Sequence, residues 1–300
     1  MAATVGGLLR DAAVRLTESG SETPRLDAEV LLGHVLRVDR ATLLAGPEAG
    51  VGVEAAREFE RLVERRSSGE PVSYIRGIKE FYGVAFTVDP RALIPRPETE
   101  TLVDLAVALI GTMLTAHPRS PDDPLRVWDV GTGSGAIAVA IAIHNRRRGY
   151  SSDVRLRATD ASADALALAI ENAVVHGVAD VIDFRQADLA YGAESEPVDL
   201  LLANLPYIPT DTLPTLPKAV SFEPASALDG GPDGLALIRR LIEQLASALR
   251  EGGVSLLEIG SDQADAARAA ATTLGDGWSV DVHDDLTGRP RVLEIARVAH

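Results

Sequence analysis

The sequence of 300 residues contains no cysteine. This absence excludes disulfide bonds, thiolate catalysis and cysteine-ligated zinc, and it fits a reducing cytoplasm, which is the location that we predict. Six histidines are present, but they are scattered without the spacing of metal ligands. No metal site is therefore predicted.

A long apolar segment and an excess of positive charge are also missing. The longest apolar run, residues 136–143, is too short to span a membrane, and the amino terminus lacks the basic start and apolar core of a signal peptide. The chain has 29 Lys and Arg against 44 Asp and Glu, a net charge of −15. Because nucleic-acid backbones bind clustered positive charge, we expect a protein or small-molecule substrate, with no direct nucleic-acid partner and no membrane.

The first 75 residues have the apolar spacing of helices. A first predicted helix carries its apolar residues on one face, at Val5, Leu8, Leu9, Ala12 and Leu16. A second helix should begin at Thr23 and Pro24 and turn Leu26 and Leu31 toward the core, and a third should cover residues 53–66. These patterns predict a small helical domain over residues 1–75.

The segment that follows has a different composition. Residues 74–89 are rich in aromatic and β-branched side chains and are interrupted by Gly77 and Gly83, which predicts a hairpin or an extended linker. We assign residues 76–95 to this linker and residues 96–300 to a second domain.

From residue 125 onward, predicted strands and helices alternate. Strands are expected at residues 126–130, 154–159, 182–186, 200–203, 253–259, 278–283 and 291–296. Helices are expected at residues 136–143, 163–176, 235–250 and 263–273. This alternation predicts an α/β fold with a seven-stranded, mostly parallel, Rossmann-like sheet. The last two strands are joined by too few residues for a crossover, so they should form an antiparallel C-terminal hairpin.

A glycine-rich loop joins the first predicted strand of the sheet to a helix. Glycines in such a loop let the backbone turn sharply and approach a ligand closely. The loop alone also satisfies a dinucleotide-binding pattern. Asp129, at the end of the strand, favours another ligand, because a carboxylate there would repel a pyrophosphate but attract the ammonium and sulfonium charges of S-adenosylmethionine.

Acidic residues also follow the next two predicted strands. Asp160 ends the second strand, where a carboxylate can accept hydrogen bonds from both ribose hydroxyls, and Asp188 and Leu189 follow the third, where adenine would lie. Each aspartate alone could simply cap a turn, but three at one sheet edge favour a cofactor site. The residues assigned to S-adenosylmethionine are Asp129, Gly131, Thr132, Gly133, Ser134, Gly135, Asp160, Asp188, Leu189 and Asn204.

The segment Asn204-Leu205-Pro206-Tyr207 ends a strongly apolar strand. An amide nitrogen is a poor nucleophile and must be held in line with the methyl donor. The Asn204 side-chain carbonyl and the Leu205 main-chain carbonyl can each accept one N–H of such an amide, and Tyr207 can stack on it. No strong base is needed and none is identified. A plain Asn-x-Pro turn is the alternative interpretation.

Seven segments spread over almost the whole chain carry a resemblance to one family. They are residues 22–29 (Glu-Thr-Pro-Arg-Leu-Asp-Ala-Glu), 74–77 (Tyr-Ile-Arg-Gly), 81–83 (Phe-Tyr-Gly), 93–100 (Leu-Ile-Pro-Arg-Pro-Glu-Thr-Glu), the glycine loop, the Asn204 turn and residues 222–224 (Phe-Glu-Pro). The string over residues 94–100 is the most specific of these. On these segments the chain resembles the peptide-chain release factor glutamine methyltransferases, the PrmC/HemK family.

The resemblance implies a class I methyltransferase domain that uses S-adenosylmethionine. It implies a monomeric enzyme whose N-terminal helical domain recognises the release factor and whose substrate is the glutamine of the factor's Gly-Gly-Gln motif. It makes Asn204, Pro206 and Tyr207 the catalytic residues, and it adds Leu205 and Arg96 to these as substrate-binding residues, with Arg96 bracing the Asn204 turn. The family usually has Asn-Pro-Pro-Tyr at this turn, so Leu205 is a departure that frees one torsion and adds an N–H.

Three other functions stay open at this point. Asn-Leu-Pro-Tyr also occurs in ribosomal RNA adenine dimethyltransferases, so the turn also fits an adenine-N methyltransferase acting on RNA, which the negative charge disfavours. A nicotinamide-dependent oxidoreductase is disfavoured by Asp129. A non-catalytic module that binds S-adenosylmethionine or a release factor has Leu205 as its only support.

Overall fold

The computed structural model describes residues 3–192 and 196–298. The chain forms two compact units. A helical unit comprises residues 1–78 with residues 216–222, and a sheet unit comprises residues 79–215 with residues 223–300.

The helical unit packs helices around one apolar core. The helices are α1 (Val5–Glu18), α2 (Pro24–Leu36), α3 (Arg40–Ala45), α4 (Val53–Ser67) and α5 (Val72–Arg76). Two short strands, β1 (Ala3–Thr4) and β2 (Gly50–Val51), pair antiparallel. Leu9, Leu16, Leu31 and Phe59 are among the fully buried residues of the core. The three predicted helices are confirmed, whereas α3 and α5 are too short to give a periodic pattern in the sequence.

The predicted inward position of Leu26 on α2 is wrong. Its side chain is 42% exposed, and Asp27 and Glu29 are buried instead. Glu29 forms ion pairs with Arg25 and Arg40 at 2.5 and 2.6 Å. Buried charges are tolerated when they are paired, so the helix can rotate away from the phase that apolar residues alone predict.

The sheet unit begins with a hairpin and continues into a seven-stranded sheet. The hairpin strands are β3 (Ile78–Phe81) and β4 (Val84–Thr87), joined through Tyr82 and Gly83 in left-handed conformation. This confirms the predicted hairpin. The sheet strands are β5 (Leu125–Val130), β6 (Val154–Asp160), β7 (Ile182–Gln186), β8 (Val198–Ala203), β9 (Leu249–Glu258), β10 (Trp278–Asp284) and β11 (Pro290–Arg297).

The order of strands across the sheet is β10-β11-β9-β8-β5-β6-β7. β11 pairs antiparallel with both β10 and β9, while β5 to β9 pair in parallel. The predicted antiparallel C-terminal hairpin is therefore confirmed. Its second strand is inserted between β9 and β10, which leaves β10 at the edge.

The helices of the sheet unit are α6 (Glu100–Ala116), α7 (Ala136–Arg148), α8 (Ala163–Val175), α9 (Ala236–Ala248) and α10 (Ala264–Ala271). The chain winds from β5 outward to β7 through α7 and α8, then winds the other way from β8 to β9 through α9. Right-handed crossovers therefore put α7 and α8 on one face and α9 on the other. The winding reverses between β5 and β8, and the crevice at such a reversal is where α/β sheets bind ligands.

One helical segment, Pro97–Ala116, is long and apolar enough to cross a membrane by length and composition alone. The sequence predicts a helix over residues 98–113, entered through Pro95 and Pro97, and α6 confirms it. Its residues Leu102, Val103, Ala106 and Ile110 are fully buried. The helix packs on β5, β8, β9 and β11, which is the position of a core helix against a sheet.

Candidate active site

A cavity of about 410 Å³ lies at the carboxyl ends of β5, β6, β7 and β8. Volumes of this size suit a cofactor or a small ligand. The lining includes most of the residues predicted for the cofactor and the substrate, namely Arg96, Gly131, Thr132, Gly133, Ser134, Asp160, Asp188, Leu189, Asn204, Leu205 and Pro206. Asp129, Gly135 and Tyr207 are not part of that lining.

The glycine loop between β5 and α7 has a backbone that requires glycine. Gly131 has φ of 74°, and a Cβ there would lie 2.9 Å from Leu205 Cδ2. Gly135 has φ of 80°, and a Cβ there would lie 3.1 Å from Ala169 on α8. Both positions combine a left-handed conformation with a close approach, so a side chain at either would displace the loop.

Asp129 supports this loop from behind. Its side chain is buried, and Oδ2 accepts hydrogen bonds from Thr132 Oγ1 at 2.6 Å and from the Ala138 N–H at 3.2 Å. Oδ1 has no hydrogen-bond partner among the described residues. Burial, with a smaller contribution from the charge of Asp160, raises the pKa of Asp129 to about 7 against the lowering effect of the hydrogen bonds from Thr132 and Ala138. The Asp129 carboxylate is therefore buried behind the glycine loop and is not part of the cavity lining.

Asp160 and Asp188 reach the cavity directly. The Asp160 carboxylate accepts the N–H groups of Gly133 and Ser162, each at 2.9 Å, so it ties β6 to the glycine loop. Asp188 is largely exposed and pairs with Arg240 at 2.6 Å. Leu189 follows in a left-handed conformation, φ 52°, with its side chain buried.

Asn204 lies at the end of β8 and lines the cavity. Its Nδ2 donates a hydrogen bond to Thr99 Oγ1 at 3.0 Å. No described residue donates to its Oδ1. The orientation of the side chain therefore leaves a carbonyl oxygen as a free acceptor on a residue of the cavity wall.

Tyr207 is not part of the cavity lining, and its hydroxyl bonds to Glu258. The phenol donates to Glu258 Oε1 at 3.3 Å. Burial raises the pKa of Glu258 to about 7, even against the lowering effect of Thr99, Arg291 and Tyr207. Burial also raises the pKa of Tyr207 far above its ordinary range, so the phenol stays protonated and remains a donor. The predicted stacking of Tyr207 on a substrate amide stays a prediction.

Arg96 lines the cavity, and among the described residues it forms no hydrogen bond with Asn204. It pairs with the buried carboxylate of Glu223 at 2.5 Å, and the Glu223 Oε2 also accepts the Ile94 N–H at 3.0 Å. The direct contact that braces Asn204 comes from Thr99 instead. The ion pair ties Arg96 to the segment around residue 223, whose Pro224 also lines the cavity.

Three residues of the site were missed in the sequence, namely Thr99, Asn172 and Glu258. Asn172 is fully buried and donates to the main-chain carbonyls of Thr87 and Ser134, which joins the hairpin to the glycine loop. Glu258 had a detectable signal, because it is a charged residue at the end of an apolar strand, as Asp129 is. Thr99 lies inside the family-like string over residues 94–100, but nothing near it in the sequence indicates its contact with Asn204, 105 positions away. Asn172 had no signal, since its contacts join residues more than 30 positions apart.

Family comparisons agree with this geometry. Residues 7–77 match the family model described as the PrmC N-terminal domain, and residues 100–213 match the methyltransferase small domain. The release factor glutamine methyltransferase of Moorella thermoacetica is 40% identical over 96% of both chains, and that of Deinococcus radiodurans is 38% identical over 97% of both. The chain belongs to the release factor glutamine methyltransferase family.

Membership of the release factor glutamine methyltransferase family makes the chain an S-adenosylmethionine-dependent methyltransferase. A solved structure, the hMettl16 catalytic domain, shares the fold at a TM-score of 0.55 and 16% identity, covering 86% of each chain. The cavity fits the methyl donor, because the Asp129 carboxylate with its unpartnered oxygen stands behind the loop and Asp160 opens onto the cavity. No group of three or more His, Asp or Glu among residues 3–192 and 196–298 could hold a metal ion.

Proposed function

We propose that this enzyme methylates the side-chain amide nitrogen of the glutamine in the Gly-Gly-Gln motif of a peptide-chain release factor. The observation that carries the proposal is the hydrogen bond from Asn204 Nδ2 to Thr99, which leaves Asn204 Oδ1 as an acceptor beside the cofactor cradle. An acceptor at that point selects a donor group with N–H hydrogens, which is what an amide nitrogen presents.

Methyl transfer requires the protein to align the amide nitrogen with the methyl donor, and it requires no strong base. S-adenosylmethionine supplies a methyl group already activated by a sulfonium. Asn204 Oδ1 and the Leu205 main-chain carbonyl then hold the two N–H hydrogens of the glutamine, so that its nitrogen is directed at the donor and the positive charge growing on it is stabilised. Asp129, Gly131 to Gly135, Asp160, Asp188 and Leu189 hold the methyl donor in this proposal.

Recognition of the whole factor is assigned to the rest of the chain. We propose that residues 1–75 form the substrate-recognition domain, joined through residues 76–95 to the methyltransferase domain of residues 96–300. The match of residues 7–77 to a separate family model supports such a division. A cytoplasmic monomer that needs neither nucleic acid nor membrane is the simplest form of this enzyme, and the net charge of −15 supports a protein partner.

The test is incubation of the protein with labelled S-adenosylmethionine and purified release factors, followed by mass spectrometry of the Gly-Gly-Gln peptide. We expect a single added methyl group on the glutamine. A release factor with glutamate in place of that glutamine should receive none, because a carboxylate has no N–H to donate to Asn204. A short Gly-Gly-Gln peptide should be a poor substrate, since remote contacts are needed to position the amide.

Ribosomal RNA under identical conditions is the matched control. Methyl transfer to adenine, with none to the release factor, would overturn the proposal while leaving the methyltransferase assignment intact. Labelling of both would show that the cavity does not discriminate between planar nitrogens.

A further inference from the structure

The loop between β10 and β11, residues 285–289, lies at the same edge of the sheet as the cavity. β9 pairs in parallel with β8, and β11 pairs antiparallel with both β9 and β10. The end of β10 and the start of β11 therefore lie at the edge where β5 to β8 end, which is the edge that carries the cavity. Only β9 separates β11 from β8, the strand that ends at Asn204.

Hydrogen bonds fix the base of this loop on the end of β9. The Ile259 N–H donates to the Arg291 carbonyl at 2.9 Å, and the buried Arg291 guanidinium donates to the Ile259 carbonyl at 3.2 Å. The same guanidinium reaches the Asp285 carboxylate at 3.5 Å. Glu258, next to Ile259, accepts the Tyr207 hydroxyl at 3.3 Å. The loop thus stands on the strand end that also supports Tyr207 of the substrate turn.

Further hydrogen bonds within the loop hold its shape. Asp285 Oδ1 accepts the Thr287 N–H at 2.9 Å, the Thr287 hydroxyl at 2.6 Å and the Arg289 N–H at 3.2 Å. The Asp285 N–H donates to the Arg289 carbonyl at 2.7 Å, and the Gly288 N–H donates to the Asp285 carbonyl at 2.9 Å. The loop therefore presents its tip in one conformation.

Leu286, at the tip, is not explained by the structure of the loop. Its side chain is 100% exposed, whereas the other exposed large apolar side chains of residues 3–192 and 196–298 are 36–80% exposed. Single apolar side chains at a surface are common, but this one packs against nothing and leaves its whole apolar area in water. A polar side chain would suit the loop equally well, so the leucine indicates contact with another molecule.

We propose that Leu286 is a contact for the release factor, which buries this side chain in an apolar depression of its surface while its glutamine occupies the cavity. The inference rests on the proposed function. A specific protein interface buries about 800 Å² of each partner, far more than one glutamine side chain provides, so the factor must cover surface beyond the cavity. A loop that is already rigid loses little conformational entropy on binding, so the contact adds to affinity.

Leu286→Ser tests this contact without disturbing the packing of the fold. With full-length protein, intact release factor and saturating S-adenosylmethionine, KM for the factor should rise about tenfold, while kcat and the Kd for S-adenosylmethionine stay within about twofold. The calorimetric Kd for a factor with glutamate in place of its glutamine should rise about equally. The value of kcat/KM for a short Gly-Gly-Gln peptide should not change, because the peptide does not reach the loop.

Val175→Ser is the matched control. Val175 is 69% exposed at the end of α8, a helix that returns the chain from the end of β6 to the start of β7. Val175 therefore lies at the opposite edge of the sheet, and its loss should leave binding and methylation of the factor unchanged. Leu286→Met keeps an apolar side chain at the tip and should stay within about threefold of the wild type.

Unchanged KM and Kd in Leu286→Ser would overturn the inference, and so would an equal loss in Val175→Ser. A matching loss toward the short peptide would also overturn it, because the effect would then arise in the cavity. The proposed function fails separately, through absence of methyl transfer from the wild type to the factor. In that case, binding of the glutamate form of the factor still decides whether Leu286 contacts it.

Discussion

The two halves of the candidate site are built by different physical means. The cofactor half, defined as the glycine loop with Asp129 and Asp160, is built mainly from backbone conformation and main-chain N–H groups. The substrate half, defined as Asn204, Thr99, Tyr207 and Glu258, is built from side chains on separate elements. Each half rests on a buried carboxylate with a pKa of about 7 and one oxygen without a partner among the described residues.

A buried carboxylate lies behind each half, but different parts of the protein lie in front of it. Asp129 lies behind a rigid loop, so its charge acts on whatever the loop holds. Glu258 lies behind a side chain, and its Oε1 accepts the Tyr207 hydroxyl at 3.3 Å. Changes in the cofactor half should therefore appear in binding of S-adenosylmethionine, and changes in the substrate half should appear in turnover.

The largest effect is expected from Asn204→Ala. Loss of the Oδ1 acceptor should lower kcat by about 100- to 1000-fold, the scale for removing one group that stabilises developing charge. Calorimetric titration should show a Kd for S-adenosylmethionine within about threefold of the wild type. Turnover close to that of the wild type would show that Asn204 does not hold the amide.

Asp160→Ala should affect binding of S-adenosylmethionine more than turnover, which is the opposite of Asn204→Ala. The carboxylate lines the cavity and anchors the Gly133 N–H, so its loss should weaken S-adenosylmethionine binding by about 1–3 kcal/mol. At saturating cofactor, kcat should remain within a few-fold of the wild type. Asp188→Ala is the matched control. The Asp188 carboxylate is 63% exposed, so its loss should weaken S-adenosylmethionine binding by less than the loss of Asp160 does. An unchanged affinity of Asp160→Ala for S-adenosylmethionine would show that the Asp160 carboxylate does not bind the ribose hydroxyls.

Asp129→Asn tests the cofactor half through the pH dependence of S-adenosylmethionine binding. Loss of the charge should weaken S-adenosylmethionine binding at pH 8 by about 1 kcal/mol. In the wild type, the affinity should decline as the pH falls through 7, because the carboxyl becomes neutral; in Asp129→Asn this pH dependence should disappear. Titrations at pH 6 and pH 8 measure both effects, and a pH dependence retained in the variant would assign it to another group.

The same substitution should raise thermal stability at pH 8. The pKa of Asp129 is raised in the folded protein, so ionisation in the unfolded chain favours unfolding above the ordinary carboxyl pKa. The resulting loss of folding stability grows from the ordinary carboxyl pKa up to pH 7 and is complete above pH 7. The Tm of Asp129→Asn should therefore exceed that of the wild type at pH 8, and the difference should shrink toward pH 4.

The smallest effect on turnover is expected from Leu205→Pro, which restores the common family pattern. The Leu205 main-chain carbonyl survives, so kcat should stay within about threefold. The buried Leu205 side chain packs against Gly131, and its loss should cost about 1–3 kcal/mol of stability. Leu205→Ala is the control, with lost packing but no proline. Collapse of kcat in Leu205→Pro alone would mean that the Leu205 N–H makes a needed hydrogen bond.

The sequence by itself determined the alternating sheet, the hairpins and the cofactor half of the site. These features depend on neighbouring residues, because strand patterning, a left-handed glycine turn and an aspartate at a strand end are all local. The glycine loop and Asp160 lie within 30 positions of each other on adjacent strands. The prediction from residue patterns was for that reason close to the observed structure.

Only the tertiary structure decided the substrate half. Thr99 meets Asn204 across 105 positions, and Tyr207 meets Glu258 across 51. The phase of α2 was also decided by ion pairs, with Arg66 reaching Asp27 from another helix. Such contacts depend on the order of the strands in the sheet and on where each helix packs. No local periodicity records that order, because the free energy of a buried polar contact depends on partners that only folding brings together.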